Sequence, residues 1–259
     1  MRRFASALLA SLLLGACSMK PKPQEENPLL ADLVDYRAGL KLLKEGRVDE
    51  AIQLLVRARA SHPTDANIPN ALGLALLAKK DVPAAAKAFS DALKIDPSDA
   101  EARNNRGVAY LELGMLDLAA ADFQAVIDAP SGSERSNARF NLGLVEKKRE
   151  RWDEAEHEFS LVLNDDPLSS RAFRERGLVR VKRGDYKSAL KDFLEVLKDE
   201  PKDPVSNYQA ALCLLTTGRR DLALRYMERT ASAAPESDEG KRARRFLDSE
   251  PADSAPSAR

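Results

Sequence analysis

The sequence predicts an all-α fold in which pairs of antiparallel helices stack into a solenoid. Three series of residues recur every 34 residues, with one interval of 36, across most of the chain. A repeat of this length encodes one supersecondary unit, which buries its apolar face only by stacking on its neighbours. Charged residues make up 32 % of the chain and cancel to a net charge of zero, which favours solvated helix faces and argues against a nucleic-acid binder.

Residues 1–16 have the pattern of a secretory signal. Two arginines precede the apolar run 4–14, which is too short to span a bilayer as a helix. The small residues Gly15 and Ala16 then lead into Cys17. The alternatives are an ordinary signal peptide with a chance cysteine and an uncleaved anchor.

The segment 14–17, Leu-Gly-Ala-Cys, resembles the lipobox of bacterial lipoproteins. The resemblance implies cleavage before Cys17, which would carry a diacylglycerol thioether and an N-acyl chain; we expect no other cofactor. Residues 17–31 are polar and proline-rich, and they are predicted to form a flexible tether. Ser18, by analogy with enteric sorting rules, indicates the outer membrane of a Gram-negative bacterium. We expect the protein to be lipid-anchored there and to face the periplasm.

Each unit has a small residue, an alanine and a bulky residue at fixed points. The small residue lets two helices approach closely, and the bulky residue fills the gap to the next unit. A proline then ends the second helix, because it lacks an N–H and restricts the residue before it. The small series is Gly39, Gly73, Gly107, Gly143, Gly177 and Ala211; the alanine series is Ala51, Ala85, Ala119, Ala155, Ala189 and Ala223; the bulky series is Leu55, Phe89, Phe123, Phe159, Phe193 and Met227.

This pattern resembles the tetratricopeptide repeat (TPR), a pair of antiparallel helices called A and B. The resemblance implies a right-handed α-solenoid over residues 32–237. Residues 238–248 are predicted to form a C-terminal capping helix, because solenoid ends need a polar cover. Residues 249–259 are predicted to be a disordered tail. The six units are 32–65, 66–99, 100–133, 136–169, 170–203 and 204–237.

Two irregularities interrupt the repeats. Four turns between helices A and B contain glycine, whereas Lys80 and Glu150 stand at this point of repeats 2 and 4. Two additional residues separate repeats 3 and 4, which predicts a longer loop or a local kink.

The sequence offers little catalytic chemistry. Its two histidines, His62 and His157, lie beside a helix-ending proline and on a predicted solvent face. Cys213 lies within a predicted A helix and is expected to be a buried thiol. We therefore predict that the protein is not an enzyme, that it binds no metal, and that it acts through a surface.

The A helices line the concave face of a TPR array. Here they combine apolar side chains with amides, a composition that suits an extended or helical peptide. The alternative is that many of these side chains only pack between adjacent A helices. The predicted partner-binding residues are Tyr36, Leu40, Leu43, Asn70, Leu74, Leu77, Asn104, Val108, Leu111 and Phe140.

Three segments resemble the TPR lipoproteins that act as pilotins for the type IV pilus secretin. They are 104–107 (Asn-Asn-Arg-Gly), 133–136 (Ser-Glu-Arg-Ser) and 141–145 (Asn-Leu-Gly-Leu-Val). Arg106 departs from the family, which has an aromatic residue there. The resemblance implies a monomer that binds secretin subunits and promotes their outer-membrane localisation and oligomerisation, on which pilus biogenesis and pilus-dependent motility depend.

Two other functions fit a TPR lipoprotein. One is a scaffold for cell-wall hydrolases or synthases, and the other is a component of the outer-membrane protein assembly machinery. Neighbouring genes would separate these alternatives from the pilotin hypothesis.

Overall fold

The computed structural model describes residues 33–130, 132 and 134–249. The predicted signal peptide (1–16), Cys17 with its tether (17–31) and the tail beyond residue 249 lie outside these residues. Predictions about them stay predictions.

The described part of the chain consists of thirteen α-helices, and none of them is long and apolar enough to cross a membrane. The first twelve form six pairs, one in each predicted unit, and the all-α prediction is therefore confirmed. Odd-numbered helices up to α11 are the A helices, and even-numbered helices are the B helices. The helices are α1 (Val34–Lys44), α2 (Val48–Ser61), α3 (Asn67–Ala78), α4 (Val82–Ile95), α5 (Ala100–Glu112), α6 (Leu116–Asp128), α7 (Arg135–Lys148), α8 (Trp152–Asp165), α9 (Ser170–Lys182), α10 (Tyr186–Asp199), α11 (Pro204–Thr216), α12 (Arg220–Ala233) and α13 (Asp238–Asp248).

Each helix packs against the next one along the chain, as expected for a solenoid. The A helices also contact one another directly: α1 with α3, α3 with α5, α5 with α7, and α9 with α11. Successive A helices therefore form a continuous surface. This is the surface on which the predicted binding residues lie.

Inside each unit, the small residue of helix A contacts the bulky residue of helix B. A Cβ atom at Gly73 would lie 2.4 Å from Cε1 of Phe89, and one at Gly107 would lie 2.6 Å from Cε1 of Phe123. Both phenylalanines are fully buried, and Phe89 also packs against Ala109 of the next repeat. The bulky residue thus fills its own unit as well as the predicted gap to the next.

Lys80 and Glu150 adopt a backbone conformation that favours glycine. Their φ angles are 68° and 59°, and the four glycines at this point of the other repeats have φ between 74° and 79°. A side chain with a Cβ is strained in this left-handed region by roughly 1–2 kcal/mol. The same turn therefore forms in all six repeats, and in repeats 2 and 4 it forms at a cost in conformational free energy.

Replacing Lys80 with glycine should stabilise the protein. We expect a gain of about 0.5–1 kcal/mol in the free energy of unfolding, because relief of strain outweighs the added freedom of the unfolded chain. Lys87→Gly is the control, since Lys87 is exposed within α4, and it should lose about 1 kcal/mol. Urea unfolding of the purified chain measures both. A loss of stability in Lys80→Gly would contradict the assignment of strain.

Arg135 closes the longer connection between repeats 3 and 4. Helix α6 ends at Asp128, and α7 begins at Arg135. The guanidinium of Arg135 donates to the carbonyl oxygens of Ile127 (3.1 Å) and Ala129 (3.0 Å) at the end of α6. These carbonyls have no partner within the helix, so the arginine caps it. The connection is therefore a longer loop whose two ends are joined by the hydrogen bonds of Arg135.

Helix α13 covers the end of the sixth repeat by packing on α11 and α12. Ala243 is fully buried, and a Cβ at Gly240 would lie 1.9 Å from the carbonyl oxygen of Ala234. The helix therefore approaches the backbone before it very closely. Its four basic side chains are exposed, as a polar cap requires.

Candidate partner-binding surface

All ten predicted binding residues lie on the A helices of the first four repeats. Helix α1 carries Tyr36, Leu40 and Leu43, and α3 carries Asn70, Leu74 and Leu77; α5 carries Asn104, Val108 and Leu111, and α7 carries Phe140. The structure brings them onto the surface formed by successive A helices. Their burial differs, and it divides them into two groups.

The apolar residues of the first two repeats are half-buried. Leu40 and Leu43 pack against the cluster around Leu55, and Leu74 and Leu77 pack against the cluster around Phe89. Each side chain therefore contributes to the contact between helices and still presents part of its area to solvent. Both the binding interpretation and the packing alternative apply to these leucines.

Tyr36 adds a polar group to this apolar row. Burial, followed by the negative charges of Asp65 and Glu101, raises the pKa of its phenol. The hydroxyl therefore keeps its proton throughout the physiological range. It can donate a hydrogen bond to a carbonyl oxygen of a bound peptide.

The amide side chains are engaged within the protein. Asn70 and Asn104 are only 7 % and 8 % exposed. Asn70 accepts from Nδ2 of Asn105 at 3.2 Å and donates to Glu101, and Asn104 accepts from Nδ2 of Asn141 at 3.0 Å. Their oxygens link successive A helices, and the expectation that these amides also hold a peptide backbone stays a prediction.

Of the predicted apolar residues in repeats 3 and 4, Leu111 is buried, whereas Phe140 is half-buried and packs against other side chains. Leu111 is only 8 % exposed and belongs to the core between α5 and α7. Phe140 lies against the ring of Phe159, with 5.5 Å between ring centroids, and the guanidinium of Arg171 covers it at 4.5 Å. Val108 remains half-buried. The accessible apolar row is therefore centred on repeats 1 and 2.

A group of buried ion pairs between A and B helices was not predicted from the sequence. Arg106 on α5 binds both carboxylate oxygens of Asp122 on α6, at 2.7 and 2.8 Å, and reaches Ser90 on α4 at 3.3 Å. The ion pair gives a structural role to Arg106, the residue that departs from the pilotin pattern noted in the sequence. The signal available in sequence was an arginine and an aspartate sixteen residues apart, next to the glycine–phenylalanine pair.

The same arrangement recurs two repeats later. Arg176 binds Asp192 at 2.8 and 3.1 Å and reaches Ser160 at 3.1 Å. Arg180 donates to the same carboxylate at 2.9 Å. All three members of this group lie 70 residues after their counterparts in repeats 2 and 3. In each group, the arginine on an A helix therefore links the B helix before it to the B helix after it.

The other residues considered as catalytic or metal-binding candidates show no such arrangement in the described part of the chain. Burial raises the pKa of the Cys213 thiol to about 11, so this thiol stays protonated and unreactive at neutral pH. His157 is exposed. Within 33–130, 132 and 134–249, no group of histidine, cysteine and acidic residues is arranged to hold a metal ion.

The repeats identify the class of protein. The model of the tetratricopeptide repeat family matches residues 36–100, 71–134, 105–170, 140–204 and 174–238, which overlap and together span most of the chain. The chain belongs to the tetratricopeptide repeat family. This fold is typical of protein-interaction proteins, which use the extended surface of their stacked repeats.

Three individual proteins resemble this chain at low sequence identity. Protein FlbA of Caulobacter vibrioides is 32 % identical over 129 residues, which are 47 % of this chain but only 21 % of the length of FlbA. The solved structure of PilF from Pseudomonas aeruginosa superposes with a TM-score of 0.73 at 21 % identity, and covers 83 % of this chain and 97 % of PilF. PilW, a widely conserved type IV pilus biogenesis factor, gives 0.76 at 19 % identity, over 82 % of this chain and 97 % of PilW. At these identities the likeness establishes the fold.

Proposed function

We propose that this chain is an outer-membrane lipoprotein that binds secretin subunits and promotes their localisation and oligomerisation for type IV pilus biogenesis. The observation that carries the proposal is the row of half-buried apolar side chains on the A helices of repeats 1 and 2, with Tyr36 at its edge. Such a row suits a peptide that buries its own apolar side chains against it.

The fold and the N-terminal motif support the same function. The chain matches nearly the full length of PilF and of PilW, a pilus biogenesis factor, and the six repeats with their capping helix account for almost all of the described residues. In this proposal the chain acts by differential binding, and it favours the secretin state that inserts or assembles. A lipid on Cys17 would hold that binding surface at the membrane.

The anchor is tested by Cys17→Ser. We expect wild type to incorporate a labelled fatty acid and to fractionate with the outer membrane, and the variant to do neither. Cys213→Ser is the matched control, because the chain has two cysteines and only the first lies in the lipobox; it should keep the label. Unlabelled wild-type protein would refute the lipoprotein assignment.

The binding row is tested by Leu74→Glu, which places a charge at its centre. We expect secretin affinity to fall about tenfold or more and secretin multimers to be lost, since central apolar side chains contribute about 2 kcal/mol each to an interface. Leu118→Glu is the control, because Leu118 is 50 % exposed on a B helix, and it should leave multimers intact.

Circular dichroism establishes that both variants are folded. Tyr36→Ala provides a second test that introduces no buried charge. Normal multimers in folded Leu74→Glu and Tyr36→Ala would exclude the row as the binding surface. Normal multimers in a strain that lacks the gene would exclude the pilotin function itself.

A further inference from the structure

The A helix of the sixth repeat carries a second apolar row, formed by Tyr208, Leu212 and Leu215. These residues occupy the fifth, ninth and twelfth positions of their unit, where the first unit has the same residue types, namely Tyr36, Leu40 and Leu43. Each side chain of the second row packs partly against the buried core between α11 and α12 and is half-buried. The two ends of the array therefore present the same apolar pattern on their A helices.

Neighbouring helices widen the second row. Helices α9 and α13 both contact α11. Leu178 and Val181 on α9 are half-buried at the ninth and twelfth positions of their unit. Phe246 on α13 follows Leu212 by 34 residues and is half-buried against the same core as the row. The capping helix thus continues the surface as a seventh A helix would, and the apolar area spans three helices.

Cations without a carboxylate partner lie on the two flanking helices. Lys182 on α9 and Arg242 on α13 are exposed, and neither makes a hydrogen bond or an ion pair with the residues that the structure describes. Arg242 follows Tyr208 by 34 residues, which places it on the same face as the row. Arg171 on α9 donates to the amide oxygen of Asn137 at 2.7 Å, a contact that leaves its charge uncompensated.

Acidic residues do not cancel this charge. Arg174 on α9 binds Glu200 and Asp203 at 2.7 and 3.2 Å, which engages the two carboxylates at the N-terminal end of α11. On α13, Asp238 and Glu239 lie in the first turn, where the helix dipole stabilises them. Helix α11 itself carries no charged residue. A ligand on this surface therefore meets positive charge on both sides of an apolar strip.

The first row has the opposite electrostatic environment. Burial, and then the carboxylates of Asp65 and Glu101, raise the pKa of the Tyr36 phenol. The second row has cations on its flanking helices instead. Equal apolar patterns with opposite charges indicate different ligands, because charge complementarity selects between partners.

We propose that the second apolar row binds a partner protein through an amphipathic peptide that combines large apolar side chains with carboxylates. The apolar side chains would lie against Leu212, Leu215 and Phe246, as an amphipathic helix lies in an apolar groove. The carboxylates would pair with Lys182 and Arg242. The second row lies in the last repeat and the proposed secretin surface lies in the first two, so each proposal can fail without the other.

Two other occupants fit this surface less well. Residues 250–259 of the chain include two acids, but they contain no leucine, isoleucine, valine, methionine or aromatic residue that could cover the row. A second copy of the chain would bring the same positive surface, and like charges across an interface repel.

The probe is the synthetic peptide Ac-LEELLEELLEEL-NH2, which places its leucines on one face of a helix. It is titrated into the purified full-length chain, and its affinity is read from NMR shifts of the backbone amides of Leu212 and Phe246. We expect saturable shifts. The counterpart with lysine in place of every glutamate should bind there about tenfold more weakly. No saturable shift with the acidic peptide, or equal affinities of the two peptides at these amides, would overturn the proposal.

Two charge-reversal variants locate the site. Lys182→Glu combined with Arg242→Glu should weaken binding of the acidic peptide about tenfold or more. Lys191→Glu combined with Arg225→Glu is the matched control, because these two residues are exposed on the B helices α10 and α12, and it should bind as wild type does. All four side chains are exposed, so both variants should fold, which circular dichroism checks. Equal affinities in the two variants would refute the assignment.

Further variants separate this surface from its alternatives. Leu212→Glu should abolish the saturable shift at Phe246, whereas Leu74→Glu, in the first row, should leave it unchanged. Removal of residues 250–259 should not change the affinity, and the chain alone should sediment as a monomer. A tenfold rise in affinity without the tail, or a dimer that Leu212→Glu dissociates, would give the row to the tail or to a second copy and overturn the proposal.

Discussion

Replacing Arg106 with leucine should destabilise the protein by about 3–5 kcal/mol, as expected when one partner of a buried ion pair is removed. Asp122 is 7 % exposed at its side chain, and both of its oxygens accept hydrogen bonds from Arg106. Without the guanidinium, this carboxylate would be buried with no cation. Urea unfolding of the purified chain, followed by circular dichroism, measures the loss.

Arg57→Leu is the matched control for this variant. Arg57 binds Asp35 with nearly the same bidentate geometry, at 2.8 and 3.1 Å, but the two side chains are 63 % and 36 % exposed. An exposed pair contributes roughly 0–1 kcal/mol, so this loss should be small. Equal losses in the two variants would contradict the importance of burial.

The chain itself suggests a compensating change. Repeat 2 has Leu72 and Ala88 at the positions of Arg106 and Asp122. We therefore expect Arg106→Leu combined with Asp122→Ala to recover most of the lost stability, because it removes the unpaired charge together with its partner. A double variant as unstable as Arg106→Leu alone would show that the arginine acts through packing instead of charge.

Gly107→Leu should be strongly disruptive, because it enlarges a small residue at a close contact between the two helices of a repeat. A Cβ at Gly107 would lie 2.6 Å from Cε1 of Phe123, whose side chain is fully buried. Overpacking a close contact costs about 1–3 kcal/mol, and the leucine must also separate α5 from α6. Thermal unfolding should give a lower midpoint. Glu112→Leu, at an exposed position of the same helix, should change stability by less than about 0.5 kcal/mol.

The sixth repeat shows how this contact tolerates change. Ala211 and Met227 stand there in place of glycine and phenylalanine, and both are fully buried. We expect Gly107→Ala combined with Phe123→Met to be more stable than Gly107→Ala alone, since methionine is flexible and can adapt to the added methyl group. If the second substitution gave no recovery, the phenylalanine would not be the obstacle.

Predictions from the sequence held where they depended on the period of the repeat. The small-residue series predicted where helices A and B approach closely, because its spacing is set by helix geometry within one unit, whereas the structure showed that the phenylalanine of the same unit fills this contact. The predicted roles of Asn70 and Asn104 in partner binding stay predictions, and the structure adds contacts of these amides within the protein. An amide on an A helix has the same sequence signature whether it faces a partner or the neighbouring helix, and only the packed structure places Asn105 and Asn141 beside them.

The sequence by itself determined the class of fold, the number of units, the close contact inside each unit and the polar cap at the end. It did so because each of these follows from residues at fixed positions within one repeat or between adjacent repeats. Only the tertiary structure decided which charged groups pair with each other. Asp122 is bound by Arg106, whereas Glu158, the acid at the equivalent position of repeat 4, lies 3.5 Å from Arg139, which precedes the equivalent of Arg106 by one helical turn. These contacts depend on the register of helices from two repeats, and a substitution at one position leaves the periodic pattern unchanged.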